Sequence, residues 1–463
     1  MKKLMILFVI IAVIGVLYSA VAFQLGKTFE HNADQEMQTL NLAFSQNLGK
    51  ASDKGLFNIE QTSFQNHIFS SQSQYTLNLG DVQTIKFNAK TRHGPLIAFQ
   101  PMRYLTVYEL EKDANTAKLF QAAGDKSPIK ITVKTNFGNN SDIRTEIPTL
   151  RFDKTASLIF YGLDSHIQTN QEKSFIKGKW QSNGFKVFGL GAEFIIDGLK
   201  GTLNLKQNNG LYVGDNSYSI NNIKIDGGEV AKMITVNPTA SIDNISYSSQ
   251  SNKVNGDYQT LMAFSMNNTQ VAGYSFGNLT SNIQLDKLPI DIIQKISSIS
   301  YRQLSKDEKE KLLIDILKTN PVAKINLSWE NEGKKATALL DFEGKMPKKS
   351  FTQSQPQDFI FRASMNIDIP KEMIHHALSQ SLMIVKMPQT DANNKAQQWL
   401  NRIVAESNGL LVEDSQSYKT NIIFNNNKLL VNGVEQDWET LGKTQKLPET
   451  HDNTLDELPL RIH

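Results

Sequence analysis

Hydrophobic and polar residues alternate along most of this chain. Ile129, Ile131 and Val133 are separated by polar residues, and a period of two is typical of strands with one apolar and one solvated face. Asparagine, aspartate and glycine interrupt the alternation at short spacing, as in antiparallel hairpins. The longest alternating stretch, which we expect to present one buried face, carries Phe359, Phe361, Ala363, Met365, Ile367 and Ile369.

Four segments in the second half have helical spacing or helical boundary signals instead. Isoleucine recurs on one face of 289–299, and Ser305 with Glu308 has the sequence of a capping box for a helix running to about residue 318. Pro370 is suited to the first turn of a helix towards Val385, and a further helix is expected over roughly 393–406. The pattern therefore predicts helices flanking a sheet.

Near the N-terminus, apolar residues recur at steps of four and three between residues 27 and 50. This spacing predicts an amphipathic helix with one apolar stripe. We expect the stripe to pack on the β-rich body; the alternative is a homodimer in which the Phe29–Leu48 helix pairs with a second copy. The stripe consists of Phe29, Ala33, Met37, Leu40, Phe44 and Leu48.

The first 23 residues have the pattern of a membrane anchor. Lys2 and Lys3 precede a run without charge that, as a helix, is roughly 30 Å long and matches a bilayer core. The two lysines favour a cytoplasmic N-terminus. A cleaved signal peptide ending at Ala22 is the alternative, and both interpretations export the body. The residues expected in the membrane include Leu4, Ile6, Phe8, Ile10, Val13, Val16, Tyr18 and Phe23.

These patterns predict an α+β fold dominated by β-structure, in which a single N-terminal membrane helix precedes a large curved antiparallel sheet with flanking helices. The expected localisation is the bacterial inner membrane, crossed once, with the body in the periplasm. The expected segments are an anchor (1–26), an amphipathic helix (27–50), an antiparallel β-rich region (51–286), a helical insertion (287–320), further strands with a helix pair and closing hairpin (321–441), and a polar tail (442–463).

Composition excludes several functional classes. The 463 residues include no cysteine, which rules out disulfides, cysteine-ligated metals and thiol catalysis. The net charge is +3, and removing the two lysines before the anchor leaves 3 − 2 = +1 for the exported part. A nearly neutral body gives no electrostatic reason to expect nucleic acid as a partner.

Motifs with known chemistry are scarce. Gly189-Leu190-Gly191 begins like a dinucleotide-binding loop, but Phe194 replaces the last glycine and the context is β-rich. His375 and His376 are adjacent helix positions, which point about 100° apart and cannot chelate one metal ion together. We therefore expect no cofactor, no metal site and no catalytic residue.

His93-Gly94-Pro95 stands out as a local element after an alternating strand. Pro95 restricts Gly94 to extended or glycine-specific conformations, so the chain bends there in a defined way. His93 at this strand end could cap a carbonyl, bind a ligand or transfer a proton. The conformational role is the one we expect, and these three residues are the candidate binding residues.

Several motifs in this order resemble the YdgA-like family of bacterial proteins of unknown function. One departure is Asn66-His67-Ile68, where the family often has Arg-Gly before Phe-Ser. The resemblance implies a Gram-negative inner-membrane protein with a periplasmic body, and no reaction. The motifs are the lysine-led anchor to Gly26-Lys27, Ser63-Phe64 with Phe69-Ser70-Ser71, His93-Gly94-Pro95, Leu327-Ser328-Trp329 with Gly333, and Ile369-Pro370 followed by two helices and a hairpin with Val431-Asn432-Gly433.

The function expected from these observations is binding, without catalysis. A long one-sided sheet must cover its apolar face, and any part that helices leave uncovered can hold a lipid or another hydrophobic partner. The alternative is a scaffold or assembly factor whose core is fully packed. A third hypothesis is a hydrolase-type enzyme that uses His93.

Overall fold

The computed structural model describes residues 58–66, 70–79, 83–93, 96–153, 156–170, 172–208, 210–298, 305–348 and 355–438. The expected anchor, the expected helix over 27–50 and the polar tail lie outside these ranges. None of the helices within them has the length and apolar character needed to span a bilayer.

Short and medium strands form the first half of the described chain, together with one short helix, α1 (Ala117–Ala122). The strands are β1 (Asn58–Asn66), β2 (Ser70–Leu79), β3 (Gln83–His93), β4 (Leu96–Ile97), β5 (Gln100–Pro101), β6 (Tyr104–Leu110), β7 (Lys130–Thr135), β8 (Asn140–Ile147), β9 (Leu150–Phe152), β10 (Ser157–Phe160) and β11 (Leu163–Asn170).

Longer strands follow, and a small hairpin region closes the described chain. These strands are β12 (Phe175–Gly189), β13 (Ala192–Asn208), β14 (Leu211–Asp226), β15 (Thr239–Val254), β16 (Asp257–Val271), β17 (Tyr274–Pro289), β18 (Val322–Asn331), β19 (Lys334–Gly344), β20 (Ile360–Pro370), β21 (Val412–Glu413), β22 (Ser417–Asn425), β23 (Lys428–Val431) and β24 (Val434–Gln436).

Helices connect the long strands and confirm the predictions from sequence. Ser305 and Glu308 form the expected capping box at the start of α4, and Pro370 is the N-cap of α5 instead of its first helical residue. The second helix of the pair begins slightly earlier than expected. The helices are α2 (Gly228–Ala231), α3 (Ile290–Ser298), α4 (Lys306–Leu317), α5 (Lys371–Ile384) and α6 (Gln389–Glu406).

All strand pairs in the sheet are antiparallel. The spatial order is β1-β2-β3-β6-β7-β8-β11-β12, and from β12 to β20 each strand pairs with the next one in sequence before β22, β23 and β24 follow. The strand β10 pairs with the second half of β12 and with β9. This continuous meander confirms the predicted large antiparallel sheet.

The first half of the sheet has a closed hydrophobic core. Ile143 on β8 is fully buried, and its neighbours in the sheet are Val133 on β7 and Ile167 on β11, which are also buried. The helix α1 contributes Leu119 and Phe120 to the same cluster. Some buried polar side chains in this part pair across strands; the hydroxyl groups of Thr91 and Thr106, for example, lie 3.0 Å apart.

The second half of the sheet is packed differently, and one prediction from sequence is wrong there. The alternating strand was expected to bury Phe361, but its side chain is 56 % exposed. Phe359 lies in a short 3-10 helix that precedes β20. Ala363, Met365 and Ile367 do share one face of the strand, yet all three remain partly exposed because the middle of that face is not covered by other described residues.

Candidate functional site

The His93-Gly94-Pro95 element is only partly within the described residues. His93 is the last residue of β3 and pairs with Tyr104 of β6. Gly94 and Pro95 lie outside the described ranges, as does the His93 side chain. The proposed bend and the role of the imidazole therefore stay predictions.

The adjacent histidines of α5 have separate partners, as their helical spacing requires. His375 Nε2 lies 3.1 Å from the carbonyl oxygen of Asn393 in α6. His376 Nε2 lies 2.6 Å from the Gln380 side chain and 3.3 Å from Glu332. Within the described ranges, no histidine, aspartate and glutamate side chains are grouped closely enough to hold a metal ion.

The long strands carry two rows of mostly apolar side chains on one side, which we call the apolar face. Residues paired across an antiparallel sheet lie on the same face, so the strand register defines each row. The first row is Trp180, Gly201, Tyr218, Tyr247, Phe264, Ser281, Leu327, Ala338 and Ile367. The second row is Leu203, Asn216, Ser249, Met262, Ile283, Ile325, Leu340, Met365 and Ile422.

None of the large apolar side chains in these two rows is buried. Tyr218 is 43 % exposed, Leu327 is 40 % exposed and Leu340 is 36 % exposed. The others, such as Met262 and Ile283, are partly exposed. The apolar face thus differs from the closed core of the first half, and its middle retains hydrophobic surface that can contact a partner.

An aromatic series crosses the start of the first row. Gly201 lies under the indole ring of Trp180, and a Cβ atom at Gly201 would collide with that ring. The absence of a side chain lets Trp180 reach across to Tyr218, with ring centroids 6.3 Å apart. Tyr218 in turn stacks on Tyr247 at 6.1 Å. These rings form a continuous aromatic surface over neighbouring strands.

Among the described residues, helices contact the long strands near both ends of the apolar face. At one end, α3 contacts β14, β16 and β17, and Ser251 and Thr260 on this face of β15 and β16 are buried. At the other end, α5 contacts β19 and β20, and Tyr418 and Ala336 on this face are buried too. Lys371 of α5 lies over the Tyr418 ring, and burial raises the pKa of the Tyr418 hydroxyl. The two apolar rows run between these helical walls.

The opposite side of the same strands is polar and contains a groove of about 1050 Å³. One complete row of this face lines it: Thr202, Ser217, Ser248, Ala263, Asn282, Asn326, Leu339, Asn366 and Asn421. Most of the adjoining row does so as well: Asp215, Gln250, Leu261, Gln284, Lys324, Asp341, Ser364 and Ile423. The lining also includes six residues of the second apolar row: Asn216, Ser249, Met262, Ile283, Ile325 and Leu340. This groove therefore involves the face where we did not expect a binding site.

The lining of this groove combines neutral hydrogen-bonding groups with apolar side chains such as Leu261 and Ile423. The amides of Asn282, Asn326, Asn366 and Asn421 are exposed, and none has a side-chain hydrogen bond to another described residue. Asp341 Oδ1 is shielded from solvent and has no hydrogen-bond partner among the described residues. The groove can offer hydrogen bonds to a polar ligand but has few features that would select one.

Sequence reasoning missed both the polar groove and the aromatic series. Asparagines at 282, 326, 366 and 421 are far apart in the chain, and only the register places them in one row. The available signal was that the residues between the apolar positions of successive strands are mainly serine, threonine and asparagine. That signal predicts a solvated face but gives no information on its curvature.

Comparison with known proteins gives a family and no function. Residues 1–436 match the family described as "Bacterial protein of unknown function (DUF945)". No curated protein matches the chain, and no solved structure matches it. The expected resemblance to bacterial proteins of unknown function is confirmed at this level, whereas the narrower YdgA-like name stays a prediction.

Proposed function

This chain belongs to the DUF945 family of bacterial proteins of unknown function, and on that premise we propose that it is a membrane-anchored envelope protein that binds lipid. The proposed site is the middle of the apolar face. The observation that carries this proposal is the exposure of the two apolar rows between α3 and α5, where large side chains such as Tyr218 and Leu340 remain in contact with solvent.

The dimensions of the apolar rows favour an extended hydrocarbon chain as the occupant. Strands in a sheet are about 4.8 Å apart, so the row from β13 to β22 extends over roughly 38 Å. That length exceeds an extended acyl chain. The row contains few polar side chains, chiefly Asn216 and Ser249, so an apolar ligand buries surface at little cost in lost hydrogen bonds.

The alternative of a scaffold with a fully packed core predicts burial of the same residues. Among the described residues, the buried hydrophobic side chains lie mainly in the first half of the sheet, between α5 and α6, and in a small cluster around Phe424. The partly exposed rows therefore favour a face that is completed by a partner. The uncharged run after Lys2 and Lys3 would keep this face close to a membrane and its lipids.

Two adjacent leucines on opposite faces of β19 provide a matched test of the site. Leu340 belongs to the second apolar row, the register places the neighbouring Leu339 side chain on the opposite face, and the exposures of the two are similar. A phospholipid with a photoactivatable acyl chain would be cross-linked to the full chain, and labelled peptides mapped by mass spectrometry. We expect Leu340→Asp to reduce labelling of β14–β19 peptides by about tenfold, since a carboxylate in an apolar contact costs at least 1–2 kcal/mol.

The control is Leu339→Asp, in which we expect the β14–β19 peptides to be labelled to the same extent as in the unmodified chain. Similar loss in both variants, or labelling restricted to the N-terminal run, would contradict lipid binding on the apolar face. If the unmodified chain shows no labelled peptide from these strands and Leu340→Asp lowers stability, the packed scaffold is the better interpretation.

The proposed orientation makes a separate prediction. A reporter enzyme that is active only in the periplasm should be active when it is fused after His463. A reporter that is active only in the cytoplasm should be inactive when it is fused at the same position. We expect the chain to remain with membranes after a carbonate wash, because an uncleaved apolar run of this length partitions into the bilayer. Reversing the sign of Lys2 and Lys3 by glutamate substitution is the control, and it should reduce the fraction with this orientation. A mature N-terminus at Phe23 would leave export intact and exclude the anchor.

A further inference from the structure

A cluster of exposed apolar side chains lies at one end of the long strands, and we call it the apex. It is formed by the turn between β12 and β13, the segment that includes α2, and the connection between α5 and α6. Leu190 is 88 % exposed, and the members from the α2 segment are exposed to a similar degree. The apex consists of Leu190, Val230, Met233, Ile234 and Val385.

Backbone contacts hold the three segments of the apex together. A Cβ atom at Gly228 would collide with the carbonyl oxygen of Gly191, so the α2 segment lies directly against the turn that carries Leu190. The amide of Val236 donates to the carbonyl oxygen of Ile384 at 3.1 Å, which joins the α2 segment to the end of α5. The apex is therefore one surface built from distant parts of the chain.

Local folding does not require apolar residues at these positions. Leu190 has a φ of 54° in a hairpin turn, a conformation that asparagine or glycine adopts with less strain. Met233 and Ile234 follow α2 in a turn and contribute nothing to the buried core. A solvated turn would favour polar residues at all three places. These exposed side chains are better explained by contact with an apolar environment.

The backbone of the α2 segment is already hydrogen-bonded. The amides of Met233, Ile234 and Thr235 donate to carbonyl oxygens of Val230 and Ala231. Lys386 Nζ donates to the carbonyl oxygens of Lys232 and Met233 at 2.7 Å and 3.1 Å. Backbone groups without such partners oppose entry into lipid, because hydrocarbon offers no replacement for lost water. Moving the backbone of this segment from water into lipid therefore costs less free energy than moving a turn with unpaired backbone groups.

Charged side chains lie beside the apex residues in the chain. Lys186 pairs with Glu193 and Lys232 pairs with Glu229. Lysines beside an apolar loop can extend their stems along hydrocarbon while the ammonium groups stay near headgroups. None of the five apex residues is an arginine, which protein–protein interfaces favour at their centre, and the nearby exposed ring of Phe188 suits the interface of a bilayer. The chemistry thus fits a lipid surface better than a protein partner.

We propose that the apex inserts into the surface of a lipid bilayer and forms a second membrane contact of this chain. This contact would fix the orientation of the long sheet relative to the membrane. The proposal does not depend on lipid binding by the apolar face, because none of the apex residues belongs to the two apolar rows.

The absence of cysteine makes a direct test possible. A single cysteine at Met233 in the full chain would be labelled with an environment-sensitive fluorophore, and the protein reconstituted in phosphatidylethanolamine–phosphatidylglycerol vesicles. The matched control is a single cysteine at Phe137, an exposed apolar turn residue between β7 and β8. The register places that turn at the opposite end of the strands, roughly 50 Å from the apex along β12 at about 3.3 Å per residue.

We expect the label at position 233 to shift to shorter wavelength in vesicles and to be quenched by lipids that carry a spin label in the acyl chain. The label at position 137 should show neither effect. In a second experiment with the label at position 230, Met233→Asp combined with Ile234→Asp should reduce quenching at least fivefold while the melting temperature is unchanged.

Three outcomes would overturn the proposal. One is a label at position 233 that stays as accessible to water as the label at position 137. Another is a blue shift without lipid quenching, which would indicate that a second copy or the N-terminal residues of the same chain cover the apex. Unchanged quenching in the double aspartate variant would also exclude insertion by these side chains.

Discussion

Replacing Ile143 by aspartate is expected to destabilise the protein by more than about 4 kcal/mol, since a carboxylate would be placed in a fully buried site without a cation. Ile143 is completely buried between Val133 and Ile167, and the buried polar side chains on the same face, such as Thr145 and Ser165, are neutral hydroxyl groups that cannot neutralise the charge. The free energy of unfolding would be measured by urea titration, with a spectroscopic signal of the β-sheet as the readout.

A lysine at Phe361 is the matched control for a charge in an alternating strand. The phenyl ring is 56 % exposed, so the ammonium group would remain in water, and we expect a change within about 0.5 kcal/mol. A similarly large loss of stability in both variants would mean that the second half of the sheet is covered in the native protein. A small loss at Ile143 would instead contradict the closed core of the first half.

The contrast between these two strands shows what periodicity can predict. Alternation over 129–133 and over 359–369 predicts a strand in both cases, and both strands are present. Whether the apolar side is buried depends on what packs against it from elsewhere in the chain. The helix α1 and neighbouring strands close over Ile131, whereas the middle of the face that includes Met365 has no such cover among the described residues.

Local signals predicted the helices well because their causes are local. Ser305 and Glu308 satisfy the first backbone amides of α4 whatever the rest of the chain does. The candidate site was harder to predict, because it depends on register. Asn326 and Asn366 become neighbours of Leu339 only when three strands are aligned, and no pattern within one strand contains that information. The apex is similar, since the turn that carries Leu190 and the end of α5 both join the α2 segment only in the folded chain.

The glycine at position 184 gives a prediction of comparable size to that at Ile143, with a different physical cause. Gly184 in β12 has a φ of +106°, and a Cβ atom there would collide with the carbonyl oxygen of Ile196 on β13. Strain in the backbone and the collision together lead us to expect a loss of roughly 2–6 kcal/mol for Gly184→Ala. Urea unfolding of the purified chain would measure it.

Gly191→Ala separates the collision from the conformational strain. Gly191 also has a positive φ, +79°, but no atom lies within 4 Å of the Cβ position, so only the cost of the left-handed conformation applies. We expect a loss of about 1 kcal/mol there. If both alanine variants lose the same small amount, β12 and β13 must be able to separate at Gly184 without breaking their pairing. The close approach of the two strands would then not be what requires glycine, and Gly184 would serve only to permit a positive φ within a long strand.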